Sequence, residues 1–232
     1  MKHIFLDFDG TLADSSEGIY VAFAAACQEA GIVAPNFDQF CACIGPPIQV
    51  IAKKLVPDIG TEQLELLRTS FRAEYDNNHH AKVRWYDGVI EGLHWLASQP
   101  DVRLSIVTNK PTQPTNNIIR LAGIEPLFSC VIGIDYREKN TIGSIFTSKS
   151  EAINFALSLT HCAREKVVYV GDTPSDRQAS LQQEIRFVAV TYGFHQWQPS
   201  ELEDTIAARS FADVITTLGL GASRSPHSAE VA

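Results

Sequence analysis

Three short apolar runs, each ending in a polar turn, set the layout of this chain. The run 3–6 ends in Asp7-Phe8-Asp9-Gly10, the run 102–107 in Thr108-Asn109-Lys110-Pro111, and the run 167–170 in Gly171-Asp172. Continuous apolar runs of this length fit strands covered on both faces, as in a parallel sheet. Two more strand candidates stand at 130–133 and 187–190. Helical patterns at about 112–121, closed by Gly123, and at about 150–159 fall between the strand candidates. Strand and helix therefore alternate, which predicts an α/β fold with a Rossmann-like, doubly wound parallel sheet.

The stretch 15–85 has a different texture. Its apolar residues recur at helical spacing, first Ile19, Phe23, Ala26 and Cys27, then Leu64, Leu67, Phe71 and Tyr75, with no strand-like run between them. Gly31, Pro35, Gly45-Pro46-Pro47 and the turn 57–60 divide it into about four helices. Tyr86-Asp87-Gly88-Val89 is a turn before a helix at about 90–98. The expected division is a core of 1–14 and 86–218, a helical insertion of 15–85 after the first strand, and a flexible tail of 219–232.

At 232 residues, 45% hydrophobic and 20% charged, the chain can bury a sizeable core. Its 27 acidic residues outnumber 19 basic ones, and the net charge of -8 opposes both a nucleic-acid backbone and an anionic membrane. Neither partner is expected, and nothing in the pattern sets the oligomeric state. The apolar run 4–6 is too short for a signal peptide. Five cysteines form no C-x-x-C, and Cys41 and Cys43 lie too close for a metal knuckle, so reduced thiols and a cytoplasmic location are expected.

In open parallel sheets the ligand crevice lies beyond the carboxyl ends of the strands. The first strand delivers Asp7 and Asp9, on the same side because strand side chains alternate; the second delivers Thr108 and the N–H groups after it; the third delivers Asp172 and then Asp176. Two carboxylates at about 4 Å repel by roughly 4 kcal/mol at an effective dielectric near 20. A hard divalent cation removes that cost, and Mg²⁺ commonly sits on one or two carboxylates plus phosphate oxygens, which the pair Asp7 and Asp172 can offer. Lys149 is the best-placed cation: Ser148 and Glu151 have capping-box spacing, so Lys149 falls in a first helical turn, against the helix dipole. Lys110 and Lys139 compete for that role. His79 and His80 read as a surface pair, and His195 beside Trp197, after the strand candidate at 187–190, is not counted among the site residues.

Taken in order, Asp7-x-Asp9-Gly10-Thr11, a strand ending in Thr108-Asn109-Lys110-Pro111, Lys149 and Gly171-Asp172-Thr173-Pro174-Ser175-Asp176 resemble the haloacid dehalogenase superfamily of phosphohydrolases. Its phosphoglycolate phosphatase-like branch is the most similar, over about residues 1–218. The resemblance implies a Mg²⁺-dependent phosphatase of a small phosphorylated metabolite, with 2-phosphoglycolate the leading substrate. It implies that Asp7 attacks phosphorus to form an aspartyl-phosphate, and that Asp9 serves as acid and base while its backbone carbonyl joins Asp7 and Asp172 on the metal. Gly10, Thr11, Thr108, Asn109 and Lys149 would contact the phosphate, and Asp176 would act on the metal from behind or through water. The insertion would be a cap that closes over the crevice, with Gly45-Pro46-Pro47 at its edge and Lys53, Lys54, Arg68, Arg72, Lys82 and Arg84 as possible anchors for a second anionic group. A sugar phosphomutase of the same superfamily and a receiver-like phosphoacceptor module are the alternatives.

Overall fold

The computed structural model describes residues 1–79, 82–136 and 146–220. His80, Lys139 and positions 221–232 of the expected tail lie outside the described residues. Six parallel strands form the main sheet: β1 (Lys2–Leu6), β4 (Val102–Thr108), β5 (Phe128–Gly133), β6 (Val167–Gly171), β7 (Arg186–Val190) and β8 (Ile206–Ala208). Their order is β5-β4-β1-β6-β7-β8, so β1 is central and the chain winds outward in both directions. In register, Leu6 pairs with Ile106 on one side and Val170 on the other. The residues after those positions therefore emerge side by side along one edge.

Alternation explains the layers. Ile4 and Leu6 point into an apolar cluster with Ile106, Val170, Leu93 and Phe211, whereas Phe5 joins Val107, Tyr169, Ile153 and Ala179 on the opposite face. Helices α5 (Val89–Ser98) and α9 (Phe211–Thr217) cover the first face, and α7 (Lys149–Thr160) and α8 (Pro174–Gln182) the second. Helix α6 (Thr112–Leu121) follows β4, as its pattern predicts.

Among the described residues, four α-helices lie between β1 and α5: α1 (Ser16–Glu29), α2 (Phe37–Cys41), α3 (Ile48–Leu55) and α4 (Thr61–Glu74), and α4 runs on into a π-helical turn, Tyr75–His79. They share a separate apolar cluster built on Phe23, Phe40, Ile51, Leu67 and Tyr75. An antiparallel ribbon, β2 (Ala13–Asp14) with β3 (Arg84–Trp85), carries the chain into and out of this segment. The ribbon and β8 are absent from the sequence-based layout, because strands of two or three residues have no readable period; the helices α8 and α9 are absent from it as well.

Candidate active site

The carboxyl edge of the sheet gathers its acidic residues through backbone geometry. Asp7 follows β1, and its backbone N–H donates to the Val170 carbonyl of β6 at 2.9 Å. One oxygen, Oδ1, accepts from the Phe8 N–H at 2.8 Å, and Oδ2 accepts from Lys149 Nζ at 2.7 Å. Lys149, the first residue of α7, is buried and donates also to Asp176. Asp176 is held in turn: its Oδ2 accepts from the Thr173 N–H at 2.9 Å and the Thr173 hydroxyl at 2.7 Å, in the capping box that starts α8. At the start of α7 the Ser148 hydroxyl does accept from the Glu151 N–H, but the Glu151 carboxylate bonds Thr147, so that box is half formed.

Asp172 completes the group. Its Oδ2 accepts from the Phe194 N–H at 2.8 Å, and its Oδ1 faces the Thr11 hydroxyl at 3.3 Å. Two glycines make room for it. A Cβ at Gly10, whose φ is +81°, would stand 2.1 Å from Asp172 Oδ2, and one at Gly193 would stand 2.4 Å from Asp172 Cβ. Oxygens of Asp7, Asp172 and Asp176 lie within 4.8 Å of one another, all three residues buried. Such proximity is costly without a cation. Burial, with Asp176 and Asp7 nearby, pushes the Asp172 carboxyl well above its ordinary range; burial lifts Asp7 to about 6 although Lys149 works against it. A buried all-oxygen set of this kind fits a hard divalent cation.

Asp9 faces a different partner. Its carboxylate accepts from the Ser15 hydroxyl at 2.5 Å and from Lys110 Nζ at 2.9 Å, and is not among the three that converge. Lys110 is buried and also donates to the Tyr75 hydroxyl, with its ammonium 4.6 Å from the Tyr75 ring centre. Burial opposes the charge on Lys110, but Asp9 and Tyr75 outweigh it and hold its pKa above the usual lysine value. Phe8, between the two aspartates, is fully buried against Trp85.

A cavity of about 90 Å³ opens beside these groups. Asp7, Asp9, Thr108, Asn109, Lys110 and Tyr75 line its polar side. Thr108 is buried at the end of β4, and its hydroxyl accepts from the Lys110 N–H at 3.1 Å. Asn109 donates to the Gly45 carbonyl at 3.0 Å and so ties the β4 loop to Gly45-Pro46-Pro47, which forms part of the wall. Gly10 and Thr11 sit against Asp172 rather than along this wall. The six basic residues singled out at 53–84 stay outside it: Arg68 pairs with Glu65, Arg72 with Asp76 and Asp135, Lys82 with Glu17 and Arg84 with Asp14, while Lys53 and Lys54 are exposed. His195 bonds Glu201 at 3.1 Å and lies at a separate opening with Thr173 and Lys54.

Sequence reasoning did not assign Tyr75 or Gly193 to the site. Helical spacing puts Tyr75 in the apolar stripe of the insertion, yet a buried tyrosine needs a partner for its hydroxyl, and that need is a readable signal. Gly193 follows a strand end, which is a weaker one.

Comparison with known proteins agrees with this fold. The chain is 26% identical over 231 residues to a phosphoglycolate phosphatase of Aliivibrio fischeri, covering 95% of this chain and 97% of that one. It is 30% identical over 191 residues to tyrosine-protein kinase PtkA of Mycobacterium tuberculosis, covering 82% of this chain and 62% of that protein. A solved haloacid dehalogenase-like family hydrolase from Streptococcus pneumoniae superposes with a TM-score of 0.79 at 25% identity, covering 94% and 98% of the two chains. The family profile described as haloacid dehalogenase-like hydrolase matches residues 4–190, from the first sheet strand through β7, and the chain belongs to that family.

Proposed function

We propose that this protein is a Mg²⁺-dependent phosphomonoester hydrolase that works on a small phosphorylated metabolite through an aspartyl-phosphate on Asp7. The observation that carries this reading is the convergence of the buried Asp7, Asp172 and Asp176, two of which, Asp7 and Asp176, hold the buried Lys149, beside a cavity bordered by Thr108. In this reading 1–14 and 86–218 form the catalytic core, and 15–85 form a cap. The five cysteines are free thiols, in keeping with a reduced, cytoplasmic protein. Among the described residues no helix is long and apolar enough to cross a membrane.

The chemistry follows from the residues present. Asp7 attacks phosphorus through a carboxylate oxygen as the bond to the ester oxygen breaks, and Asp9 gives that oxygen its proton. Water then attacks the aspartyl-phosphate, Asp9 takes a proton from it, and the phosphorus–oxygen bond to Asp7 breaks to release phosphate. Lys149 keeps Asp7 ionised despite burial and fixes its orientation through the 2.7 Å bond. Thr108 and the N–H groups after it hold phosphoryl oxygens. Asp7, Asp172 and the Asp9 carbonyl would hold Mg²⁺ with Asp176 close behind, and the ion supplies two positive charges to the developing phosphoryl anion. Three carboxylates against Lys149 and Mg²⁺ leave the pocket near neutrality, so a dianionic ester can enter.

The test is phosphate release from phenyl phosphate with and without Mg²⁺. Chelation should abolish release and Mg²⁺ restore it, while Asp7→Asn should lose at least about 10³-fold in kcat with its urea midpoint retained. Full turnover in chelator, or by Asp7→Asn, would refute the mechanism. One phosphate released per ester consumed separates a hydrolase from a mutase. Relatives named phosphoglycolate phosphatase make 2-phosphoglycolate the first metabolite to assay.

A further inference from the structure

The wall that faces the catalytic groups is apolar. Ile19 of α1, Ile44 and Ile48 beside Gly45-Pro46-Pro47, Ile51 of α3 and Phe71 of α4 line the cavity opposite Asp7, Asp9 and Thr108. Helical spacing explains the wall: Ile48 and Ile51 are three apart on α3, and Phe71 and Tyr75 are four apart where α4 ends. Ile19 and Ile51 are buried and the other three half-buried, so the wall is an open edge of the apolar cluster that the four helices share.

Among the described residues, this wall carries no free cation. Lys110 is the one basic residue among those described that lines the cavity, and its ammonium is already engaged by the Asp9 carboxylate and the Tyr75 hydroxyl. The nearby arginines are committed elsewhere, Arg72 to Asp76 and Asp135 and Arg84 to Asp14. A carboxylate on the leaving group would lie against isoleucine and phenylalanine with no opposite charge to meet it, and an unpaired buried charge is strongly disfavoured. A hydrocarbon group there gains instead, by about fourfold in binding per buried methylene.

Resting on the phosphatase reading above, we infer that the substrate is a phosphomonoester with a small apolar leaving group, and that the Ile48/Ile51/Phe71 wall excludes esters carrying a second anionic group, 2-phosphoglycolate included. Hydrocarbon positions of the leaving group pack on the wall while the phosphoryl end meets Asp7 and Thr108. Selection is by desolvation, since the phosphoryl chemistry is the same for both kinds of ester.

The experiment compares phenyl phosphate with 4-carboxyphenyl phosphate and 2-phosphoglycolate, using the full chain with Mg²⁺. We expect kcat/KM for phenyl phosphate to exceed that for both carboxylated esters by at least about tenfold, and Ile48→Lys, on a half-buried position, to shrink or invert the ratio. Equal rates on the two aryl esters, or a preference for either carboxylated ester, would overturn the inference while leaving the phosphatase reading intact. No phosphate release from any of the three esters would overturn that reading, and the inference with it. The wild-type comparison decides the matter even where Ile48→Lys does not fold.

Discussion

Lys149 and Lys110 are both buried and both bind an aspartate from the loop after β1, yet they are built differently. Lys149 is held by Asp7 and Asp176, residues of the sheet edge and of the capped start of α8. Lys110 is held by Asp9 and by Tyr75, which the helical segment contributes at the end of α4. The first arrangement is complete within the sheet layers. The second exists only when α4 is packed against the β4 loop, so the neighbourhood of Asp9, and not that of Asp7, depends on how the helical segment docks. Asn109 bonding the Gly45 carbonyl makes a second tie of the same kind.

Replacing each lysine tests this contrast most severely. Lys149→Met leaves Asp7 and Asp176 buried without their cation beside Asp172, and should cost about 3–5 kcal/mol in urea unfolding along with all turnover. Lys110→Met strands one carboxylate that still has Ser15, so its loss of stability should be smaller. Equal losses would erase the distinction. Tyr75→Phe is a gentler probe of the second arrangement. It removes one acceptor from Lys110 and should lower kcat by roughly tenfold, with little change in KM and about 1–2 kcal/mol of stability. An unchanged kcat would mean that the tie to α4 does not bear on Asp9.

The smallest effect is expected at the other end of β1, where a buried histidine has no acidic partner among the described residues. His3 Nε2 meets the Ser105 hydroxyl at 2.8 Å, and burial, with Arg103 nearby, lowers the imidazole to about 4. The unfolded chain therefore takes up a proton near 6.5 that the folded chain refuses until about 4. Stability from this group is complete above 6.5 and drains away as the pH falls toward 4. Because the site is partly screened, His3→Gln should reduce the loss of stability on acidification by about 1 kcal/mol, measured by urea unfolding at several pH values. A variant with the same acid dependence as the wild type would contradict the assignment.

Much of the sheet edge was legible because each acidic residue directly follows an apolar run. Once 4–6 and 167–170 are strands, Asp7 and Asp172 must emerge as neighbours, since adjacent parallel strands end together. Lys149 was legible for a similar reason, as the first residue of a helix with a serine cap. Asp9 was harder. Period-two alternation puts it on the side of Asp7, but β1 ends at Leu6, and the turn after it sends the Asp9 carboxylate to Lys110 while Asp7 meets Lys149. The basic residues at 53–84 drew attention because charge is visible in a sequence, whereas their acidic partners stand up to 70 positions away, as Asp14 does from Arg84.

From the order of its residues alone, this chain determines that strands and helices alternate, that a helical segment interrupts them after β1, and which acidic groups the strand ends carry. These are local matters, set by periodicity and by the residue that follows each run. The tertiary structure alone decides that Tyr75 reaches Lys110, that Gly193 clears space for Asp172, and that isoleucines share a cavity with Asp7 and Asp9. The reason is physical: those contacts join segments whose separation along the chain is large, and their meeting depends on how the helices pack as bodies, which no repeat in the sequence encodes.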